Sequence, residues 1–155
     1  MAFGDSLTEG ERTPAFWGTH DPGTPGIALS YPFKLWSLLS ATYTGQRIDV
    51  YNAGYGGEAV ASSTARARFL DMLRQHAPQL VILMHGTNDL NAGTERGVII
   101  GAIEALIGDA QARGVALFVS SIPRMLPGVG NPPKGTAASR VPNYNEDLRR
   151  MALEE

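Results

Sequence analysis

The chain has 155 residues and no cysteine, with 43% apolar and 18% charged residues, which fits one globular domain with a single core. Its thirteen Lys and Arg residues against fifteen Asp and Glu residues give a formal charge of −2, so we expect no surface that binds nucleic acid. The lack of cysteine excludes a disulfide scaffold and any thiolate metal site.

The first third of the chain predicts a short strand, a long loop and a helix. Residues 1–3 are typical of the last residues of a strand. Residues 11–29 contain three Gly and three Pro and predict a surface loop. Ser30 can cap a helix that has Pro32 in its first turn. This helix is expected to bury three apolar side chains, Phe33, Trp36 and Leu39.

Three more segments have strand character. Residues 47–52 alternate in polarity, whereas residues 79–84 and 115–119 are continuous apolar runs typical of strands buried on both faces. Strands of the buried kind occur in parallel sheets.

Helical patterns separate these strands. The first has its apolar stripe at Val60, Ala61, Ala65, Phe69 and Met72, and the second has Ile99, Ile103, Leu106 and Ala110 before a stop at Gly114. Residues 125–140 predict a second long loop, and residues 143–155 a final helix that buries Tyr144, Leu148 and Met151. The alternation predicts a three-layer, doubly wound α/β domain.

The two ends of this predicted domain are expected to be truncated. Its first strand has three residues before Gly4, and no strand follows the final helix. We therefore expect a single domain over residues 1–155 that lacks its last strand and part of its first. A sheet edge exposed in this way could pair with a second copy of the chain.

Polar and glycine-rich segments follow three of the predicted strands, at residues 4–10, 52–57 and 86–89. The carboxyl ends of parallel strands meet at one edge of a sheet, where ligands bind. A Ser in a glycine-flanked turn there can attack a substrate, which makes Ser6 the candidate nucleophile. Gly57, through its N–H, and Asn88, through its amide, could stabilise an oxyanion.

These segments resemble the sequence blocks of the GDSL, or SGNH, family of serine esterases and lipases. The matching blocks are Gly-Asp-Ser-Leu at 4–7, Asn-Ala-Gly-x-x-Gly at 52–57 and Gly-Thr-Asn-Asp at 86–89. The resemblance implies a flavodoxin-like fold and gives Ser6 the roles of nucleophile and oxyanion N–H donor. It gives Gly57 and Asn88 the other two oxyanion donors.

The fourth block of the family, Asp-x-x-His, is absent from the sequence. In the family its His is the general base for the Ser, and its Asp orients that His. We therefore expect a chain that stops before the base and has low or no turnover. The oxyanion donors and substrate binding alone give about 10³- to 10⁴-fold acceleration over water.

The remaining candidates near the site are open to more than one interpretation. Asp5 is expected to accept hydrogen bonds from backbone N–H groups rather than carry protons. His85 precedes Gly86 at the predicted pocket and could line it or act as a base. His20 lies in the first long loop and could reach Ser6. His76 is expected to be a surface or helix-end residue.

The function expected from this pattern is hydrolysis of a small carboxylic ester, with a short acyl group, through an acyl-serine intermediate. The alternative is a catalytically inactive relative that binds an ester or a carbohydrate. No histidine spacing suggests a metal, and we expect no cofactor. No apolar run is long enough to cross a bilayer, and a removed signal peptide would leave a secreted or periplasmic location open.

Overall fold

A four-stranded parallel sheet forms the middle of the computed structural model, which describes residues 1–10, 30–125 and 135–154. The strand order is β2-β1-β3-β4. The strands are β1 (Ala2–Gly4), β2 (Asn52–Gly54), β3 (Leu80–Met84) and β4 (Ala116–Val119).

Six helices of the described residues connect or flank these strands, so the predicted doubly wound α/β fold is confirmed. They are α1 (Ser6–Glu9), α2 (Tyr31–Thr42), α3 (Ser63–His76), α4 (Thr87–Ala92), α5 (Arg96–Gln111) and α6 (Gly135–Glu154). Ser30 caps α2 as expected, since its side chain accepts a hydrogen bond from the Phe33 N–H. No helix in these ranges is long and apolar enough to span a membrane.

The register of the sheet aligns the ends of three strands. Gly4 is paired with Gly54 on one side and with Met84 on the other. A Cβ atom at Gly54 would lie 2.1 Å from the Glu9 nitrogen, so α1 packs directly against the end of β2. The segments that follow these three strands therefore leave the sheet at one level.

The apolar core lies between the sheet and the helices α3, α5 and α6. Phe3 of β1 packs edge-on against Phe69 of α3, with ring centroids 4.9 Å apart. The predicted stripe of α5 is fully buried, with each of its four residues 0–1% exposed. The core includes Phe3, Phe69, Val81, Leu83, Ile99, Ile103, Leu106, Ala110, Tyr144 and Leu148.

The predicted strand at residues 47–52 is shifted in the structure, where β2 begins at Asn52. Asn52 is paired with Ala2, the first residue of β1, and the Tyr51 carbonyl accepts a hydrogen bond from the Ala2 N–H. Residues 47–50 have no strand beside them in the described part of the chain, so their alternating pattern does not produce a ladder.

The predicted burial of α2 was wrong. Trp36 is 39% exposed, while Phe33 and Leu39 are half-buried. The three side chains line an apolar cavity of about 1130 Å³ between α2 and the sheet, together with Ala2 and Leu80. The pattern identified the apolar face correctly, but periodicity does not show how closely the opposing layer packs.

The predicted burial of residues 115–119 on both faces was also wrong. Along β4, exposed residues alternate with half-buried ones, and Phe118 is 62% exposed. Among the described strands, β4 lies at the edge of the sheet and pairs with β3 alone. Pairing of this edge with a second copy stays a prediction, which a solution mass above the single-chain value of 16.6 kDa would support.

The final helix begins earlier than predicted. The structure starts α6 at Gly135, so residues 135–140 are helical rather than part of a loop, and Pro142 lies inside the helix. A proline there removes a backbone hydrogen bond at a cost of about 3 kcal/mol. Burial of Val141 and hydrogen bonds from Arg140 to the Leu90 and Thr94 carbonyls favour the helix despite this cost. The predicted loop at residues 11–29 and the rest of the second, residues 126–134, lie outside the described residues.

The contact between Gly54 and α1 predicts a large cost for a methyl group at this position. Gly54→Ala should lower the free energy of unfolding by about 1–3 kcal/mol, because backbone atoms rather than a flexible side chain would have to move. Gly101→Ala is the matched control, since Gly101 is exposed within α5 and a Cβ there would meet nothing within 4 Å. The control should raise stability by up to about 1 kcal/mol. Urea unfolding of both variants measures the difference, and equal effects would contradict the packing.

Candidate active site

Ser6 is the first residue of α1, directly after the turn that ends β1. The Asp5 carboxylate caps the helix and its Oδ1 accepts a hydrogen bond from the Leu7 N–H at 3.0 Å. The first N–H groups of a helix have no partner within it, and the Ser6 N–H is one of these. Ser6 is half-buried. Among the described residues, neither its hydroxyl nor its N–H has a hydrogen-bond partner at this carboxyl edge of the sheet.

Gly57 lies in the turn after β2. The Tyr55 N–H donates to the Gly4 carbonyl at 2.9 Å, which joins the start of this turn to the end of β1. Gly57 has a φ of +79° and is exposed. A side chain is strained in this conformation, and a Cβ would also cover part of the exposed backbone. This backbone is therefore open to a ligand.

Asn88 lies in the first turn of α4, after Gly86, which has a φ of +109°. The Asn88 side-chain nitrogen donates a hydrogen bond to the Glu58 carbonyl at 2.8 Å. One N–H of the amide is used in this way, and the other has no partner among the described residues. The contact joins the loop after β3 to the loop after β2, beside Gly57.

Asp89 fixes the same two loops from below. It is fully buried, and its carboxylate accepts hydrogen bonds from the Val60 N–H at 2.8 Å and the Ala61 N–H at 3.0 Å. Carboxylate acceptors form stronger hydrogen bonds than neutral ones, so the link is firm.

Asp5 and His85 are both buried, beneath the loops rather than at an open surface. The His85 Nε2 atom lies 3.1 Å from Glu58, and its Nδ1 accepts a hydrogen bond from the Gly86 N–H at 3.0 Å. With both ring nitrogens engaged, the ring is not arranged to take a proton from Ser6. Lining of a pocket by Asp5 and His85 stays a prediction.

One oxygen of Asp5 is in an unusual position. Its Oδ2 is buried, forms no hydrogen bond of ordinary geometry among the described residues, and lies 3.8 Å from the His85 Nδ1. Burial raises the pKa of Asp5 above its ordinary value, although the nearby His85, the Leu7 N–H and the donor groups of Thr87 act against this. Burial therefore makes ionisation of this carboxyl group less favourable than in an exposed aspartate.

Glu58 has the opposite tendency. Burial acts to raise its pKa, but hydrogen bonds from Arg68 and His85 outweigh this and hold the pKa of Glu58 below its ordinary value. Glu58 is therefore a carboxylate at neutral pH.

The other two histidines lie elsewhere. His76 is exposed in the last turn of α3, as expected, and stacks on Tyr51 near the amino ends of the strands. His20 falls outside the described residues. In the ranges that the structure covers, no cluster of His, Asp and Glu could hold a metal ion.

Sequence reasoning missed three residues of this site: Glu58, Arg68 and the supporting role of Asp89. The sequence does contain a signal for Arg68, which lies three residues after Ala65 on the apolar stripe of α3. A charged residue on a stripe of this kind has to find a buried partner. Its partner Glu58 directly follows Gly57.

The sequence profile of the GDSL-like lipase/acylhydrolase family matches residues 2–155. The chain belongs to this family. This family consists of ester hydrolases, and the match confirms the resemblance drawn from the three sequence blocks. No curated protein was found to match.

Several solved structures share the fold. AlinE4, described as an SGNH-hydrolase family esterase, is 26% identical with a TM-score of 0.62, over 94% of this chain and 69% of its own. A family 3 carbohydrate esterase from Clostridium thermocellum is 22% identical with a TM-score of 0.67, over 99% of this chain and 70% of its own. A lipolytic protein of the G-D-S-L family from Desulfitobacterium hafniense DCB-2 is 20% identical with a TM-score of 0.68, over 99% of this chain and 70% of its own.

The raised pKa of Asp5 predicts a pH-dependent effect of Asp5→Asn. Because the folded protein holds the Asp5 proton more tightly than the unfolded chain, this group costs stability as the pH rises from its ordinary pKa of 3.8 through the folded value. Asp5→Asn removes this cost and keeps an oxygen to cap α1. The free energy of unfolding of the variant should therefore exceed that of wild type by more at pH 8 than at pH 4.

Urea unfolding at several pH values measures this difference. Asp71→Asn, which also removes one negative charge, is the control for overall charge because Asp71 is half-exposed on α3. A stability difference between Asp5→Asn and wild type that stays constant from pH 4 to pH 8 would contradict the assignment.

Proposed function

We propose that residues 1–155 form a single domain that hydrolyses carboxylic esters through Ser6. The Ser6 Oγ would attack the acyl carbonyl and lose its proton, and collapse of the tetrahedral intermediate would release the alcohol and leave an acyl-Ser6 ester. Water would then cleave this ester, releasing the acid and restoring the serine. The observation that supports this reaction best is the register that pairs Gly4 with both Gly54 and Met84.

The oxyanion of the tetrahedral intermediate would be bound by three donors: the Ser6 N–H, the Gly57 N–H and the free N–H of the Asn88 amide. A single donor of this kind contributes about 3 kcal/mol to the transition state. The support for this role is that the Gly57 backbone is exposed and that Glu58 holds the Asn88 amide.

Neither described histidine is placed to accept the Ser6 proton. His85 uses both ring nitrogens within the interior, and His76 lies near the opposite ends of the strands. We infer that the base comes from outside the described residues. Without one, a serine hydroxyl is a weak nucleophile at neutral pH.

The substrate is expected to carry a short acyl group. In the described part of the chain the large apolar cavity lies under α2, next to Met1 and Leu80 at the amino ends of the strands. Ser6 is at the carboxyl ends, so this cavity is not placed to hold the tail of an acyl group bound to Ser6.

The lack of a described base supports a second candidate function, a domain that binds an ester or a carbohydrate without cleaving it. Such a domain would keep the three donors as a binding site for a carbonyl or hydroxyl oxygen. It would show saturable binding of an ester and no Ser6-dependent turnover.

Ester cleavage with and without added imidazole tests the proposal. Imidazole supplies a diffusible base, so wild type should hydrolyse p-nitrophenyl acetate with a Ser6-dependent rate that increases with imidazole concentration. Ser6→Ala should show only the background reaction of the ester with imidazole. With wild type, the rate above this background should be lower for p-nitrophenyl octanoate than for the acetate. Mass spectrometry should detect an acyl group on Ser6.

Two further results complete the test. His20→Ala should lose the imidazole-independent activity if His20 is the base and should leave it unchanged otherwise. Equal rates for wild type and Ser6→Ala at every imidazole concentration would reject the nucleophile, and saturable ester binding under the same conditions would favour the binding domain.

A further inference from the structure

The loops that carry Ser6, Gly57 and Asn88 share one buried polar cluster, formed by the side chains of Arg68, Glu58 and His85. Arg68 lies on α3, behind the carboxyl edge of the sheet. Its guanidinium donates to the Ala53 carbonyl at 2.8 Å and to the Gly4 carbonyl at 3.3 Å. One side chain thus holds the ends of β1 and β2, each within a few residues of a proposed catalytic group.

Glu58 extends this link to the third loop. Its carboxylate pairs with Arg68 and lies 3.1 Å from the His85 Nε2, while its backbone carbonyl accepts the hydrogen bond from Asn88. His85 in turn accepts a hydrogen bond from the Gly86 N–H. The carboxylate and the carbonyl of one residue therefore contact both ends of the segment from His85 to Asn88.

The cluster is largely buried, although Glu58 and Arg68 also line a surface pocket beside Gly57. The Glu58 side chain is 6% exposed and that of Arg68 is 20% exposed. The guanidinium also lies over the Phe3 ring at 4.0 Å. Desolvation offsets much of the attraction in a buried ion pair, so such a pair adds little to stability compared with apolar residues of the same size. The planar guanidinium of Arg68 does fix the positions of its acceptors, because each of its N–H donors points in one direction.

We propose that Arg68 and Glu58 are positioning residues, which hold the Ser6, Gly57 and Asn88 loops in one arrangement for catalysis. This inference rests on the proposed ester hydrolysis. Arg68 sets the distance between the ends of β1 and β2, and Glu58 sets the direction of the Asn88 amide, so that its free N–H faces the oxyanion. Oxyanion donors act mainly on the transition state, so a loosened loop should lower kcat more than it raises KM.

Three variants test the two side chains. Glu58→Gln keeps the shape and the backbone carbonyl but loses the charge, Arg68→Met keeps the length but loses all donors, and Arg68→Lys keeps the charge without the fork. With p-nitrophenyl acetate and fixed imidazole, Glu58→Gln and Arg68→Met should lower kcat about 10- to 100-fold with KM within about twofold. Arg68→Lys should fall between Arg68→Met and wild type.

Arg66→Met is the matched control. Arg66 is on the same helix, and its guanidinium pairs with Asp109 of α5 rather than with any of the three loops. It should leave kcat and KM unchanged. Thermal unfolding is measured for each variant, and Glu58→Gln remains the test if Arg68→Met does not fold.

Nuclear magnetic resonance provides a second readout that does not depend on turnover. In ¹H–¹⁵N spectra, the Asn88 side-chain amide and the Gly57 N–H should shift or broaden in Glu58→Gln and Arg68→Met, and stay in place in Arg66→Met. Failure of Ser6-dependent cleavage with these shifts present would reject the proposed function but not the link between the loops. Folded Glu58→Gln with wild-type kcat and unchanged Asn88 and Gly57 signals would overturn the inference.

Discussion

Direct packing of the α1 backbone on Gly54 restricts where Ser6 can lie. The helix has only four residues, so the contact at Glu9 leaves its first residue little freedom. Asn52 strengthens the contact, since its side chain donates to the Glu9 carbonyl at 3.2 Å and accepts from the Gly54 N–H at 2.9 Å. The nucleophile loop is therefore built on β2 as much as on its own strand.

Three buried acidic side chains hold the loops of the candidate site together below the ends of the short strands. Asp5 caps α1, Asp89 holds two N–H groups after Gly57, and Glu58 connects Arg68 to His85. Three buried acidic groups are expensive to desolvate, and only Glu58 is paired with an arginine. The least well satisfied of the three is Asp5, whose second oxygen forms no hydrogen bond of ordinary geometry in the described part of the chain.

The two faces of the sheet differ in packing. Phe3, Val81 and Leu83 point into the core formed with α3, α5 and α6 and are fully buried. The opposite face carries α2 above an apolar cavity and, on β4, the exposed Phe118. All residues of the polar cluster lie with the well-packed face, because Arg68 is on α3 and its guanidinium covers Phe3. The candidate site is thus supported by the more closely packed face of the sheet.

Local patterns in the sequence were enough to predict the succession of strands and helices along the chain, the stripe of α5 and the cap of α2. They also showed the three blocks that the chain shares with the GDSL family. Each of these depends on residues within about ten positions of one another, so their period or spacing is visible in the chain itself. The start of β2, the length of α6, the exposure of Trp36 and the interior position of His85 were decided by tertiary contacts. Arg68 and Gly4 are 64 residues apart in the sequence. A hydrogen bond between them, like the packing of α1 on Gly54, exists only after the sheet has formed, because no local preference of either segment encodes the other.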